Sequence, residues 1–499
     1  MGRQQRGLSM YIVFLIVAMA TLLAAGLAFR AGADRDGAGH AVLVVQTEAL
    51  ARSGMAGLMA ELDAERDTIL AGGLPHFTDR WALYSTGTER GELVILPWES
   101  SGNDFEAAGD RLVVSESAKL DVNAADAEQL TRLFEAAGVS GEASQLASSV
   151  VAARDRLATG RFLSLGDIVA LGALPADVMW GIGDAADESS RPQRKPLSDL
   201  LTVHGYEPVL QETGKYKINI NAAWDDRMGR RIARRFGQEL ADLVQQVKQN
   251  EDFSITETQL AQFLAGSDNP PDDWDQYIDA FTDSDATTYH GRVDLNRVSS
   301  EVLYAVTGFD EDTVSAILAA RSELSARQQA GTAWLAELGI VEPGAWAQVT
   351  TKLTPRTFAW RARILARILR GGRDDGQPTT VEAERLYEVV IDLSAPRPRL
   401  AYVRDITMKQ TAGDLINRYG TAADQPDRAD EADTLGWNDP VSPSDSGRDE
   451  RPYDTGSDDA GRDDGASDPP DAAPPDGRTP PTAPQPGGHT PSGRWTRGG

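Results

Sequence analysis

The chain has 499 residues, 41% of them hydrophobic, with no cysteine and a formal net charge of -27. That length allows two or three domains beyond a membrane helix, and the lack of cysteine excludes disulfides, thiol nucleophiles and Cys-ligated metals. So acidic a chain is repelled by nucleic acid and by anionic membrane surfaces, although part of the charge belongs to the C-terminal tail.

Residues 3–30 read RQQRGLSMYIVFLIVAMATLLAAGLAFR. A basic head ends in Gly7, and an uncharged apolar run from Leu8 to Phe29 follows. About 22 residues at about 1.5 Å each span roughly 33 Å, enough to cross a bilayer. Arg3 and Arg6 precede the run, so the positive-inside rule keeps the head cytoplasmic and sends the rest across. An uncleaved anchor and a secretory signal cut near Ala25 are the plain readings of such a segment.

From Ala33 to about Asp67 the pattern is helical, with Val44, Leu50, Leu58 and Leu62 on one stripe. Gly54 and Gly57 weaken it, and a break is expected near Gly32 to Gly39. Residues 80–123 switch to short strands, RWALYS, GELVILPWE and RLVVSES; Pro97 marks the middle one as an edge or a strand end. A phrase then recurs: KLDVNAA from Lys119, KININAA from Lys217 and RVDLN from Arg292. Each is a short strand closing on an Asn (Asn123, Asn221, Asn296) ahead of a helical pattern, and each Asn is expected to cap that helix. After the first and third copies comes a helix ending in Ala-Ala-Arg (Arg154, Arg321), then a Gly-containing loop and a short helix, the pattern of helix-hairpin-helix and SAM-like domains. The turns LGALPAD, TGFDEDT and LGIVEPG lack the second Gly of the Gly-hydrophobic-Gly turn of DNA-binding hairpins and carry Asp177, Asp310, Glu311, Asp312 and Glu342, which argues against phosphate binding.

Residues 355–408 return to strands, read as three antiparallel ones with a turn at Ser394 to Pro398. From about Ala422 the chain is Asp, Pro, Gly and Ser, a composition expected to remain a solvated spacer. The five histidines, His40, His76, His204, His290 and His489, form no metal-ligand pair, and no nucleophile elbow or P-loop occurs. No enzyme activity is expected. Asp268, Asp272, Asp273 and Asp275 are candidates to hold Ca²⁺, with a solvated loop as the simpler reading.

RQQRG followed without a gap by LSMYI resembles a type IV pilin leader. The resemblance implies cleavage by a prepilin peptidase between Gly7 and Leu8, methylation of the new amine, and retention of the apolar helix. Most pilins carry Glu as the fifth mature residue, where this chain has Ile12; its absence is typical of the K-type minor pseudopilin of type II secretion (the GspK family). The KLDVNAA, KININAA and RVDLN phrases and residues 197–223 also resemble that family, with departures at Ala124, Ala222 and Arg297. The implied fold is α+β: a leader (1–7), a transmembrane helix (8–30), a pilin-like helix with first strands (31–118), an inserted α-helical domain (119–354), returning sheet strands (355–410) and a disordered acidic tail (421–499). The implied function is to cap the tip of a short periplasmic pseudopilus from the inner membrane, and so support protein secretion. Its implied partners are the I-, J- and H-type minor pseudopilins, the major pseudopilin and inner-membrane lipid. Ile12, Phe14, Leu15, Leu22 and Leu27 would pack among partner helices. Family members bind Ca²⁺, but their ligands do not map onto this chain. The alternative is a membrane-tethered helix-hairpin-helix DNA-uptake protein; a third reading is an anchored periplasmic enzyme.

Overall fold

The computed structural model describes residues 5–86, 88–98, 112–139, 141–181, 195–249, 254–268, 270–371 and 380–408, with the backbone alone at 5–9 and 272. The acidic tail expected at 421–499 lies outside the described residues, as do residues 1–4 of the leader. The fold is a mixed one: a long apolar N-terminal helix, an antiparallel sheet, and a helical domain inserted into that sheet.

Helix α1 runs without interruption from Gln5 to Ala64. The expected break at Gly32 to Gly39 does not occur. Each Gly costs only about 1 kcal/mol relative to Ala, and no Pro removes a hydrogen bond. α2 (Arg66–Leu70) follows, then β1 (Arg80–Thr86), β2 (Glu89–Leu96) and β3 (Val113–Ser115). Pro97 falls just past the end of β2.

Three helical units come next, and each is closed by a pair of two-residue parallel strands. The first opens with β4 (Leu120–Asp121), continues through α3 (Ala127–Ala136), α4 (Ala143–Arg156), α5 (Leu165–Ala170), α6 (Ala176–Trp180) and α7 (Leu197–Leu200), and returns on β5 (Leu201–Thr202). A strand, β6 (Tyr206–Pro208), leads to the second unit: β7 (Ile218–Asn219), α8 (Asp226–Phe236), α9 (Gln238–Val247), α10 (Glu257–Ala265), α11 (Trp274–Ala280) and β8 (Phe281–Thr282). β9 (Thr288–His290) pairs antiparallel with β6, so the second unit stands on a two-stranded neck. The third unit is β10 (Val293–Asp294), α12 (Ser300–Thr307), α13 (Glu311–Ala320), α14 (Ala326–Gln329), α15 (Trp334–Glu337), α16 (Pro343–Val349) and β11 (Leu353–Thr354). The first and third units share one core, including Phe134, Leu303, Trp334 and Trp346, while the second has a small core of its own around Met228, Ile232 and Phe281.

The chain then re-enters the sheet as β12 (Ala359–Arg370), β13 (Thr380–Asp392) and β14 (Arg399–Asp405), giving the order β1-β2-β12-β13-β14 with β3 also on β12. β12 takes β3 along Trp360–Ala362 and β2 along Arg363–Arg370. α1 lies across this sheet, burying Leu50, Ala51, Met55, Leu58 and Leu62 against Leu93, Ile95, Ile364, Ala366 and Ile391. Gly54 marks the closest approach: a Cβ there would sit 2.0 Å from Leu93 Cδ1. What reads in sequence as a weak helix position is the crossing point of helix and sheet.

The repeated Asn residues are not helix caps. Asp126, Asp225 and Ser299, three or four positions further on, occupy the cap positions. Each Asn instead clamps a loop about a helical hairpin away. Asn123 Nδ2 donates to the Phe162 carbonyl (3.1 Å) while its Oδ1 accepts the Phe162 N–H (2.8 Å). Asn221 does the same with Ile255, at 3.0 Å each way. Asn296 Nδ2 donates to the carbonyls of Gln329 (2.8 Å), Pro355 (3.0 Å) and Gly72 (3.3 Å). The two roles make opposite predictions for Asp, a good cap but a poor donor. Asn123→Ala is expected to cost about 2 kcal/mol for the Phe162 carbonyl and N–H left without partners, and Asn123→Asp a comparable amount, because its carboxylate still accepts the N–H but faces the carbonyl with no proton to donate. Urea midpoints of the detergent-solubilised chain measure this, and a wild-type midpoint for Asn123→Asp would restore the capping role.

Candidate assembly surface and charged junction

α1 has two halves with different surroundings. At about 1.5 Å per residue its 60 residues extend about 90 Å. From Met10 to Phe29 it contacts little else in the chain: Ile12 is 50% exposed, Phe14 62%, Leu15 63%, Leu22 73% and Leu27 69%. By length and composition this stretch is able to cross a membrane. Gly7 and Leu8 lie in the first turns of α1, on continuous helical backbone. From Leu43 the same helix packs on the sheet. Its opposite face there is Ala49, Ser53, Ala56 and Ala60, all exposed and all small. Small residues at such spacing let a second helix approach closely.

At its other end α1 meets the inserted domain. After α2 the chain turns at Gly72, whose φ is +77° and whose missing Cβ leaves room for the Gln329 carbonyl 2.1 Å away. The Gly72 carbonyl accepts from Asn296 Nδ2 and from Arg297 Nη2 (3.1 Å). The third unit therefore stacks on the end of α1 that lies away from the apolar half.

Buried charges fix the inserted domain on the sheet. Glu116, fully buried between β3 and β4, accepts from Arg361 Nε (2.6 Å) and Nη2 (3.1 Å) and from the Thr202 hydroxyl, and lies 3.4 Å from Lys119 Nζ. Burial alone would push its carboxyl up, but Arg361 and Lys119 outweigh this and hold it far below the usual carboxylate range. Arg361 also donates from Nη1 to Glu388 on β13 (2.5 Å). On the other side Asp294 accepts from Thr357 Oγ1 (2.6 Å), Arg297 Nη1 (2.9 Å) and Ser115 Oγ (3.2 Å). These two carboxylates tie the first unit (Thr202), the third unit (Asp294) and the sheet (Ser115, Thr357, Arg361) into one junction. Asp121, at the position in the first unit that Asp294 holds in the third, is also fully buried, and burial pushes it up to about 6.

The remaining candidate residues behave as structural groups. Asp310 accepts the Thr313 N–H (2.8 Å) and so caps α13 in the hairpin turn where a phosphate would have to enter. Among the acids considered for Ca²⁺, Asp275 turns inward. It accepts the Thr332 N–H (2.8 Å) and the Ala333 N–H (3.0 Å) at the start of α15, and burial pushes it up to about 6. Asp273 accepts from Gln276 Nε2 (3.3 Å), and the Asp272 side chain lies outside the described residues. Among the described residues no group of three or more His, Cys, Asp or Glu is placed to hold a metal. Arg154 and Arg321, the ends of the Ala-Ala-Arg phrases, donate to the carbonyls of Ala125 (2.7 Å) and Val298 (2.8 Å), bracing the turn after each opening strand.

No family model and no curated protein matches the chain. A solved structure described as the GspK-GspI-GspJ complex from the enterotoxigenic Escherichia coli type 2 secretion system is similar to it at a TM-score of 0.28 and 12% identity. The match covers 75% of this chain and 99% of that one. At that identity and that TM-score neither function nor partners carry across.

Proposed function

We propose that this chain is a K-type minor pseudopilin of a type II secretion system, a non-enzymatic subunit that caps the pseudopilus tip. The observation that carries the reading is the arrangement along α1: one half apolar and exposed, the other half laid on the sheet, and the bulky inserted domain stacked beyond its far end. In this reading the apolar half holds the subunit in the inner membrane and then packs among the helices of I-, J- and H-type partners. The inserted domain occupies the space the next subunit would need. Ile12 at the fifth mature position suits a subunit with no neighbour ahead of it, because an unpaired carboxylate in the membrane is costly.

Processing provides the test. Intact mass and N-terminal peptide mapping of protein extracted from membranes are expected to give a chain beginning at Leu8 with a methylated amine. A chain beginning at Met1, or beyond Ala25, would remove the pilin-type assembly route.

A further inference from the structure

α8 carries five arginines within nine residues, Arg227, Arg230, Arg231, Arg234 and Arg235, in a chain whose net charge is -27. Two of them work inside the protein. Arg231 donates to the Tyr216 carbonyl, and Arg235 donates to Gln211 Oε1 (2.7 Å) and Asp279 Oδ2 (3.0 Å). The other three, Arg227, Arg230 and Arg234, are exposed and fall at i, i+3 and i+7, one side of the helix. None has an ion-pair partner among the described residues. Asp225 is committed to the helix N-terminus, where it accepts the Met228 N–H (2.6 Å), and Asp226 stands one turn before Arg230 without closing a pair. Elsewhere in the inserted domain, arginines near the surface do find carboxylates, as Arg132 does on Glu128 (2.5 Å) and Arg327 on Glu337 (2.7 Å). Arg231 lies on the inner side of this stripe, where burial first and the neighbouring Arg227 second push its guanidinium down. On α9, packed against α8, Leu243 and Val247 lie one turn apart and are 54% and 37% exposed.

We propose that the solvent face of α8 is a docking surface for an acidic, helical segment of a partner protein. Three guanidinium groups over about 10 Å match carboxylates repeated once per helical turn. Arginine is among the residues enriched at protein interfaces. A nucleic acid duplex fits less well. It would bring one charge per about 1.7 Å onto a strongly acidic chain, with Asp225 and Asp226 at the edge of the stripe. The inference goes beyond the assembly reading and does not require it, since binding is read on the purified chain alone.

The experiment is fluorescence anisotropy on the full-length chain in detergent, with a labelled Glu/Leu/Ala helical peptide, the same peptide with Lys for Glu, and a short DNA duplex. The Glu peptide is expected to bind at low salt. Its Kd is expected to rise about tenfold or more in the Arg227→Gln, Arg230→Gln, Arg234→Gln variant, from three exposed charge pairs. The variant with Glu at all three positions is expected to bind the Lys peptide more tightly than the unaltered chain does, and circular dichroism of both variants is expected to match the unaltered chain. No binding of the Glu peptide, equal binding by the Gln variant, or preference of the same arginines for DNA would each overturn the proposal.

Discussion

Arg361→Ala is expected to destabilise the protein by about 3–5 kcal/mol, because it leaves Glu116 charged and buried with only Lys119 and Thr202 beside it. The double replacement Glu116→Leu with Arg361→Met is expected to recover most of that loss, since the pair's attraction largely offsets its own desolvation. Urea unfolding measures both. A loss within about 1 kcal/mol for Arg361→Ala, the scale of an exposed pair, would mean that the junction is not held by this charge. The same carboxylate sets the acid limit. Its folded pKa lies below its unfolded value, so its contribution is complete above the ordinary value of 4.5 and fades as pH falls through the folded one. Asp121 and Asp275 have the opposite sign. Their carboxyls rise from 3.8 to about 6 in the folded chain, so their contribution is present below the lower value and lost as pH rises through the upper one. These two aspartates thus add stability on acidification from about pH 7 toward pH 4, opposed by His204 and His290, whose burial-depressed values take stability away over the same range, and the loss below pH 4 is expected to be reduced in Glu116→Gln.

The parts readable in the sequence were those with a local signal. The apolar run of α1 and the alternation in β13 and β14 need no knowledge of what they touch. The junction has no such signal: Glu116 and Arg361 are 245 residues apart, and nothing around either marks the other. The Asn residues show a subtler failure. A helix cap and a loop clamp use the same side chain, and the distinguishing feature is a second cap-type residue three or four positions on, as at Asp126, Asp225 and Ser299. The closing strands are two residues each, too short for any periodicity. Yet they read Leu-Thr, Phe-Thr and Leu-Thr, and pairing these with the opening phrases would have delimited the three units. Gly54 and Gly72 show why glycine misleads when read from propensity alone. One admits a sheet side chain and the other a carbonyl, and neither contact is local.

Leu15→Arg is expected to remove most of the chain from the membrane. Leu15 lies about a sixth of the way along the helix, well inside its apolar run, and is 63% exposed. Among the described residues no side chain shields a charge placed there, so in a membrane the lipid must accommodate it. An arginine at the centre of a membrane helix costs about 2.5–3.5 kcal/mol on insertion scales, which corresponds to roughly a hundredfold loss in the inserted fraction. Carbonate extraction of membranes, followed by blotting of pellet and supernatant, reads the effect. Leu15→Ile is the control and is expected to leave the distribution unchanged. The fold itself should survive, because the core of the sheet begins near Leu43, about eight helical turns further on. A soluble Leu15→Arg chain with a wild-type urea midpoint would therefore separate the two jobs of α1, anchoring in its first half and packing in its second. Retention of Leu15→Arg in the carbonate pellet at the wild-type level would mean that the apolar half does not span a membrane, and the reading of this chain as an anchored assembly subunit would fall with it.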